Sequence, residues 1–164
     1  MQRKILLIIL VLSVGVLLYL KFFSKKEVHY HAGFKVFVDG KLQDFSKTKY
    51  MSIKLCGEDE KKQEENEQLE KAHLHDGVGD VVHVEASDAK WTNLFKNINF
   101  KIDKSKPIEG YVNGKNVKNI LDYPIKVYDS VVIVIGKNAN VEEYLKKSAT
   151  RKHIEEVEKK SETC

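Results

Sequence analysis

The stretch that most constrains the fold of this chain is AHLHDGVGDVVHVEA, which covers residues 72–86. It places three histidines and three acidic residues around a Gly-Val-Gly segment, and polar and apolar side chains alternate on both sides of that segment. Such a pattern predicts a strand, a tight turn over residues 77–79 and a second, antiparallel strand. If Asp76 faces Asp80 across this turn, His83 lies opposite His73.

The predicted hairpin has two chemically different faces, because successive side chains of a strand point to opposite sides of a sheet. Its core face would carry Leu74, Val82 and Val84. Its other face would carry the polar side chains together with one valine, namely His73, His75, Val81, His83 and Glu85. A register shift of one residue would move His83 to the core face, so a histidine cluster requires this register.

A second alternating stretch, VHYHAGFKVFVDG over residues 28–40, predicts a longer strand that ends in a hairpin turn. Asp39 and Gly40 form that turn, because Asp-Gly is a typical pair for a two-residue hairpin loop. His29 and His31 fall on the polar side of the alternation. None of the histidines in the two stretches occupies an apolar position, which argues against histidines buried in the core.

An apolar run precedes this domain. Residues 5–20 are apolar except for Ser13 and Gly15, and basic residues flank them on both sides. As a helix the run would be roughly 24 Å long, and continuing it through Phe23 approaches the thickness of the hydrocarbon core of a bilayer. No A-x-A-like pattern of small residues follows, which disfavours a cleaved signal peptide. We therefore expect residues 1–27 to form a signal anchor of a single-pass cell-membrane protein with an extracytoplasmic globular domain.

The next segment, residues 28–137, has the pattern of one α+β domain. Ser87 is the predicted N-cap of a helix over residues 88–98, with one apolar stripe that would pack on a sheet. The stripe consists of Trp91, Leu94, Phe95 and Ile98. A stripe left exposed would instead form a groove for a partner.

Three strand signals follow the predicted helix. Phe100 and Ile102 predict a short strand, and Asn113-Gly114 predicts a second two-residue hairpin turn. Residues 130–135, SVVIVI, are apolar on both sides of the alternation and predict a central strand.

Two charged segments complete the organisation. Residues 57–71 form an acidic insertion with seven acids and three lysines, which predicts a solvated loop or a short exposed helix. Residues 138–164 carry Glu/Lys pairs at helical i, i+4 spacing, but their apolar side chains are sparse and out of phase beyond Ser148. This segment is expected to be a polar helical or disordered tail, in which His153 is isolated and needs no function.

The histidine spacing indicates metal chemistry. An HxH pair places two imidazoles on one face of a strand, a neighbouring strand can add a third, and imidazole is a good ligand for zinc, copper and nickel. The predicted site, for zinc or copper above all, consists of His29, His31, His73, His75 and His83. Asp76 and Glu85 would be further ligands or hydrogen-bond acceptors that fix a histidine tautomer.

Metal binding for sensing, scavenging or delivery is favoured over catalysis. One alternative is a metal-free surface module that binds a protein partner, with histidines that never converge. A weaker alternative is a zinc-dependent hydrolytic or hydration enzyme. GxSxG, GxxxxGK[ST] and GxGxxG motifs are absent, and so is CxxC spacing. No basic stripe with interleaved aromatic residues occurs, so nucleic acid is not an expected partner.

The blocks HYHAGFKVFVDGK and AHLHDGVGDVVHVEA resemble a poorly characterised group of bacterial and archaeal exported proteins. That group carries HxHxxxxVxVNG followed by LHTHDxxGxIHIE, usually behind one amino-terminal membrane segment. The resemblance covers about thirty residues and implies that the predicted ligands and the two carboxylates are its motif positions. Leu74 departs from the group, because a polar residue usually stands inside its HxHD motif.

The order of elements is similar to the β-grasp arrangement, without the terminal Gly-Gly of the sulfur carriers in that class. The predicted fold class is therefore α+β. It consists of a small, mostly antiparallel or mixed sheet with one packed helix, β-grasp-like, preceded by a transmembrane helix.

Overall fold

The computed structural model describes residues 28–52, 67–137 and 140–161. The predicted signal anchor and most of the acidic insertion lie outside these residues. Within the described ranges, the helices are all too short or too polar to span a bilayer.

The described chain has an α+β fold built on one six-stranded mixed sheet. Its strands are β1 Tyr30–Val38, β2 Lys41–Leu42, β3 Val81–Val84, β4 Ile108–Val112, β5 Lys115–Val117 and β6 Ser130–Ile135. The strand order is β2-β1-β6-β4-β5, and β3 also pairs with β1. Strands β1 and β6 are parallel, whereas every other pairing is antiparallel.

Four α-helices accompany the sheet in the described residues. They are α1 Glu67–Lys71, α2 Trp91–Asn97, α3 Val141–Lys146 and α4 Arg151–Ser161. Short 3-10 helices occupy Thr48–Tyr50 and Ile120–Asp122. Helix α1 lies at the end of the acidic insertion, where the sequence allowed a short helix.

Both predicted two-residue hairpin turns are confirmed. Asp39 and Gly40 join β1 to β2 with φ angles of 47° and 80°, and Asn113 and Gly114 join β4 to β5 with φ angles of 51° and 79°. Two consecutive residues with positive φ define the turn whose twist matches that of the flanking strands, which is why Asp-Gly and Asn-Gly are found there.

The main core lies between the sheet and α2. The predicted apolar stripe of this helix is fully buried there, with at most 3% of Trp91, Leu94, Phe95 or Ile98 exposed. Burial of side chains of this size contributes roughly 1.5–3 kcal/mol each. Because its apolar stripe is covered, α2 offers no open groove to a partner. Strand β6 lies between β1 and β4, so its prediction as a central strand is confirmed.

Two local predictions between β3 and β4 were wrong. Helix α2 has Lys90 as its N-cap instead of Ser87, because Asp88 has a φ of 60° and Lys90 forms a bridge with Pro124. Residues 100–102 form no strand. The N–H group of Phe100 donates to the carbonyl of Phe95, so its backbone extends the end of α2 instead of joining the sheet.

The second face of the sheet is covered by α3 and α4. Tyr144 of α3 stacks on Phe37 with ring centroids 4.1 Å apart, and Ile154 of α4 is fully buried beside Val81. A Cβ atom at position 33 would lie only 2.5 Å from the Cβ of Ala149, so Gly33 permits this close approach. Residues 140–161 are largely helical, as one form of the expected tail allowed, but Tyr144, Ile154 and Val157 are buried instead of solvated. Their apolar side chains are out of phase because they belong to two separate helices.

Candidate metal centre

The register predicted for the histidine hairpin is confirmed at its centre. His73 and His83 form an antiparallel bridge, in which each N–H group donates to the carbonyl of the other residue at 3.0 Å. Leu74, Val82 and Val84 are buried in the main core, as predicted for the opposite face. The segment before the turn makes this isolated bridge instead of a full strand, and the turn uses Asp76 and Gly77 with φ angles of 56° and 70°.

The pairing of β1 with β3 brings the two histidine blocks together. In this antiparallel pair His31 is the direct partner of His83, and Tyr30 is the partner of Val84. Because His83 also pairs with His73, a row of three histidines crosses three neighbouring chain segments on one face. The sequence patterns predicted which histidines share a face within each stretch. They did not predict that the two stretches are neighbours in the sheet, because neither contains a signal that specifies the other as its partner.

His83 is the centre of the resulting cluster. Its ring centroid lies 4.5 Å from that of His29 and 4.6 Å from that of His31. The centroids of His73 and His75 each lie 4.8 Å from it. The other four predicted histidines therefore surround His83, and all five lie together on one face of the sheet.

The ligand atoms of these histidines form two groups of three. One group consists of His29, His31 and His83, and the other of His73, His75 and His83. Within each group the ligand atoms lie within 4.8 Å of one another, so each group could hold a metal ion. His83 belongs to both groups.

Hydrogen bonds orient several of these rings. The Nδ1 atom of His73 lies 3.0 Å from the carbonyl oxygen of Leu69, and because a carbonyl only accepts, this nitrogen carries the proton. The Nδ1 atom of His75 lies 2.5 Å from a carboxylate oxygen of Asp76. Both bonds leave the Nε2 lone pair on the cluster side, which is the usual arrangement behind a metal-binding histidine.

The other predicted carboxylate, Glu85, lies next to His83. One of its oxygens is 3.3 Å from the Nε2 atom of His83, but this nitrogen is buried and makes no hydrogen bond. Glu85 therefore interacts with His83 through its charge and not through a hydrogen bond. Asp76 and Glu85 contact different histidines, one on each side of the turn.

Burial of the cluster differs from the expectation. His31, His73 and His83 are 0%, 5% and 7% exposed, whereas their positions on the polar face argued against buried histidines. Helix α4 packs on this face of the sheet beside Val81 and contacts His31 through Glu158, whereas His73 lies against Leu69 of α1. His29 is exposed at the rim of the cluster.

Helix α4 also contributes a carboxylate that the sequence did not reveal. Glu158 has one oxygen 3.4 Å from the Nδ1 atom of His31, and its other oxygen accepts a hydrogen bond of 2.6 Å from the hydroxyl of Tyr128. Glu158 is separated from His31 by 127 residues. No local pattern connects two positions so far apart, so only the tertiary structure reveals the contact.

The electrostatics keep two of the histidines neutral. Burial and the neighbouring ring of His83 lower the pKa of His31 to about 4, although Glu158 opposes the shift. Burial and His83 likewise lower the pKa of His73 to about 4. A neutral imidazole has the lone pair that a metal ion requires, so both groups are in their ligating form at neutral pH.

His153 is not isolated, contrary to the sequence-based expectation. Its Nε2 atom lies 3.0 Å from one oxygen of Asp80, whose other oxygen accepts a hydrogen bond of 2.7 Å from the ammonium of Lys35. Burial tends to raise the pKa of Asp80, but these two hydrogen bonds outweigh it and hold the pKa below its usual value. The three residues fasten α4 to the turn and to β1, beside a cavity of about 520 Å³.

Comparison of the chain with protein-family models, with curated proteins and with solved structures gave no match. The chemistry of the cluster is therefore inferred from its own geometry.

Proposed function

We propose that this domain binds a transition-metal ion, zinc or copper, through His29, His31, His73, His75 and His83. One observation carries the proposal. Histidines from two distant blocks converge on the buried ring of His83, with the ligand atoms of each group within 4.8 Å of one another. Imidazole nitrogens at such spacing are the donor set that zinc, copper and nickel prefer.

The energetic setting of His83 supports a ligand role. Its Nε2 atom is buried and makes no hydrogen bond. A buried polar atom without a hydrogen bond costs roughly 1–3 kcal/mol, and a bond to a metal ion would offset that cost. An ordinary core position would be better filled by an apolar side chain of similar size.

The charges around the cluster also favour a cation. Asp76 contacts His75, Glu85 lies beside His83, and Glu158 lies beside His31. Three carboxylates arranged around the imidazoles compensate the charge of a divalent ion without themselves having to bind it.

The cellular setting is proposed from the amino-terminal run of residues 5–20, whose length and hydropathy support a signal anchor with the domain on the outer side of the membrane. The proposed roles in that setting are sensing, scavenging or delivery of the metal. The strand order β2-β1-β6-β4-β5, with β1 parallel to β6, supports a β-grasp-like architecture as a scaffold. The resemblance of the two histidine blocks to an exported protein group supports the same setting.

Other functions receive less support. A protein-binding module that used the apolar stripe of α2 would need that stripe exposed, and it is buried. A zinc enzyme would need a coordination position open to substrate. Most of this cluster is covered, because His29 is its one exposed histidine.

The direct test is metal analysis of the full chain, purified in a mild detergent without an affinity His-tag. We expect at least one tightly held ion per chain by elemental analysis, and tight binding of zinc or copper by titration calorimetry. The His73→Ala/His75→Ala double variant should lose the ion that the group of His73, His75 and His83 holds.

The matched control is His153→Ala, which removes a histidine outside both groups and should retain the ion. Metal content at background, together with the same weak titration for the wild type and the double variant, would overturn the proposal.

A further inference from the structure

We propose that His83 is a bridging ligand that holds two metal ions, one with His73 and His75 through its Nδ1 atom and one with His29 and His31 through its Nε2 atom. The inference rests on the proposed function and concerns the number of ions and their arrangement.

The two groups of histidines overlap in one residue. Each of the four outer histidines belongs to one group, and only His83 belongs to both. An imidazole has two nitrogens that point in different directions, so a single histidine can serve two ions at once. Two groups of three ligands therefore need only five residues.

The contacts of His83 distribute its nitrogens between the groups. Its Nδ1 atom lies 2.8 Å from the Nε2 atom of His75, which assigns Nδ1 to the group of His73 and His75. Its Nε2 atom is buried and makes no hydrogen bond, and the residue as a whole is only 7% exposed. This nitrogen, which has a Glu85 oxygen 3.3 Å away but no hydrogen bond, is the one that serves the group of His29 and His31.

The tautomers of the neighbouring rings agree with this assignment. His75 carries its proton on Nδ1, toward Asp76, so its Nε2 atom accepts a hydrogen bond from the Nδ1–H group of His83. His73 also carries its proton on Nδ1, toward Leu69. In the metal-free chain His83 is then the Nδ1–H tautomer, with the lone pair on its buried Nε2 atom.

Binding of both ions releases one proton from His83. The first metal–nitrogen bond forms with the Nε2 lone pair of His83 and breaks no bond. The second forms at Nδ1 after the N–H bond breaks, and that proton leaves to the solvent. His83 becomes an imidazolate, whose negative charge joins those of Glu85 beside it and of Asp76 to offset the charge of two divalent ions.

The test is the stoichiometry of zinc binding to the full chain in mild detergent, measured by elemental analysis and calorimetry. We expect two ions per chain in the wild type, one in His29→Ala, one in His75→Ala and no tight ion in His83→Ala. The control His153→Ala should keep two, and circular dichroism checks that each variant is folded.

The outcomes separate this inference from the proposed function. One ion per chain in the wild type, unchanged by His29→Ala, would overturn the bridge and leave metal binding intact. No bound ion in the wild type would overturn both. Two ions that persist in a folded His83→Ala variant would also exclude the bridge.

A spectroscopic measurement does not depend on the folding of the His83→Ala variant. Two copper(II) ions joined by an imidazolate couple magnetically, so the wild type loaded with copper should give a paramagnetic resonance signal weaker than that of two isolated ions. A signal equal to that of two isolated ions per chain would contradict the bridge.

Discussion

At the scale of single residues, the turn between the two arms of the histidine hairpin combines a backbone requirement with a chemical one. Asp76 has a φ of 56°, a conformation that aspartate and asparagine tolerate better than most side chains. Its carboxylate accepts a hydrogen bond from the Nδ1–H group of His75 and so directs the Nε2 atom of that ring into the cluster. One residue therefore shapes the turn and sets the tautomer of a ligand.

The change Asp76→Asn separates these two roles. Asparagine keeps the left-handed backbone but removes the charge that holds the His75 proton, so we expect zinc affinity to fall about 10- to 100-fold with little loss of stability. Titration calorimetry on the full chain measures the affinity.

Asp88→Asn is the matched control for this change, because Asp88 is also exposed and has a φ of 60° but lies outside the cluster. Equal affinities for the two variants would mean that the carboxylate of Asp76 plays no part in orienting His75.

At the scale of secondary-structure elements, local patterns were predictable and distant contacts were not. Asp39-Gly40 and Asn113-Gly114 specify their turns through residues that are adjacent in the chain. The His73–His83 register follows from the same local logic. The pairing of β1 with β3 depends instead on residues about fifty positions apart. The alternation of polar and apolar residues identifies each strand, but it does not show which strands are neighbours.

Helix α4 shows why the second face was misjudged. Its sequence has many charged residues, and of the side chains at residues 151–160 only Ile154 and Val157 are buried. Two apolar residues three positions apart are a weak signal of a packed helix. The close packing is clearer at Gly33 of β1, where a side chain would collide with Ala149, the residue two positions before α4.

The change Gly33→Ala tests this packing. The added methyl group would lie 2.5 Å from the Cβ of Ala149, and we expect a loss of about 1–3 kcal/mol in the free energy of unfolding. Chemical denaturation of the metal-free chain measures it.

The double variant Gly33→Ala/Ala149→Gly removes the nearest contact and should recover part of the loss. A double variant destabilised by the full sum of the two single changes would show that α4 does not pack closely on β1.

At the scale of the whole molecule, the buried histidines make stability depend on pH. The folded state lowers the pKa of His31 and of His73 to about 4, whereas in the unfolded chain each titrates near pH 6.5. Well above pH 6.5 both states are neutral and no stability is lost. As the pH falls toward 4, the unfolded state binds protons that the folded state does not, so stability declines.

For the metal-free chain we expect a loss of about 2 kcal/mol per histidine between pH 7.5 and pH 5. Denaturation curves in the presence of a chelator, recorded at several pH values, measure this loss. The His31→Gln variant should show a shallower decline. Stability that stays constant or increases on acidification would mean that these rings are protonated in the folded chain.

The topology of the cluster has a further consequence for the chain as a polymer. An ion that joins His31 to His83 ties β1 to β3 and encloses the acidic insertion in a loop of about fifty residues. Such a tie is a removable cross-link. It lowers the entropy of the unfolded chain as a disulfide bond would. Unlike a disulfide bond, it can be broken by a chelator without any redox chemistry. Because each doubling of loop length adds only about 0.6 kcal/mol to the cost of closure, the insertion between the two histidine blocks can grow at little energetic cost.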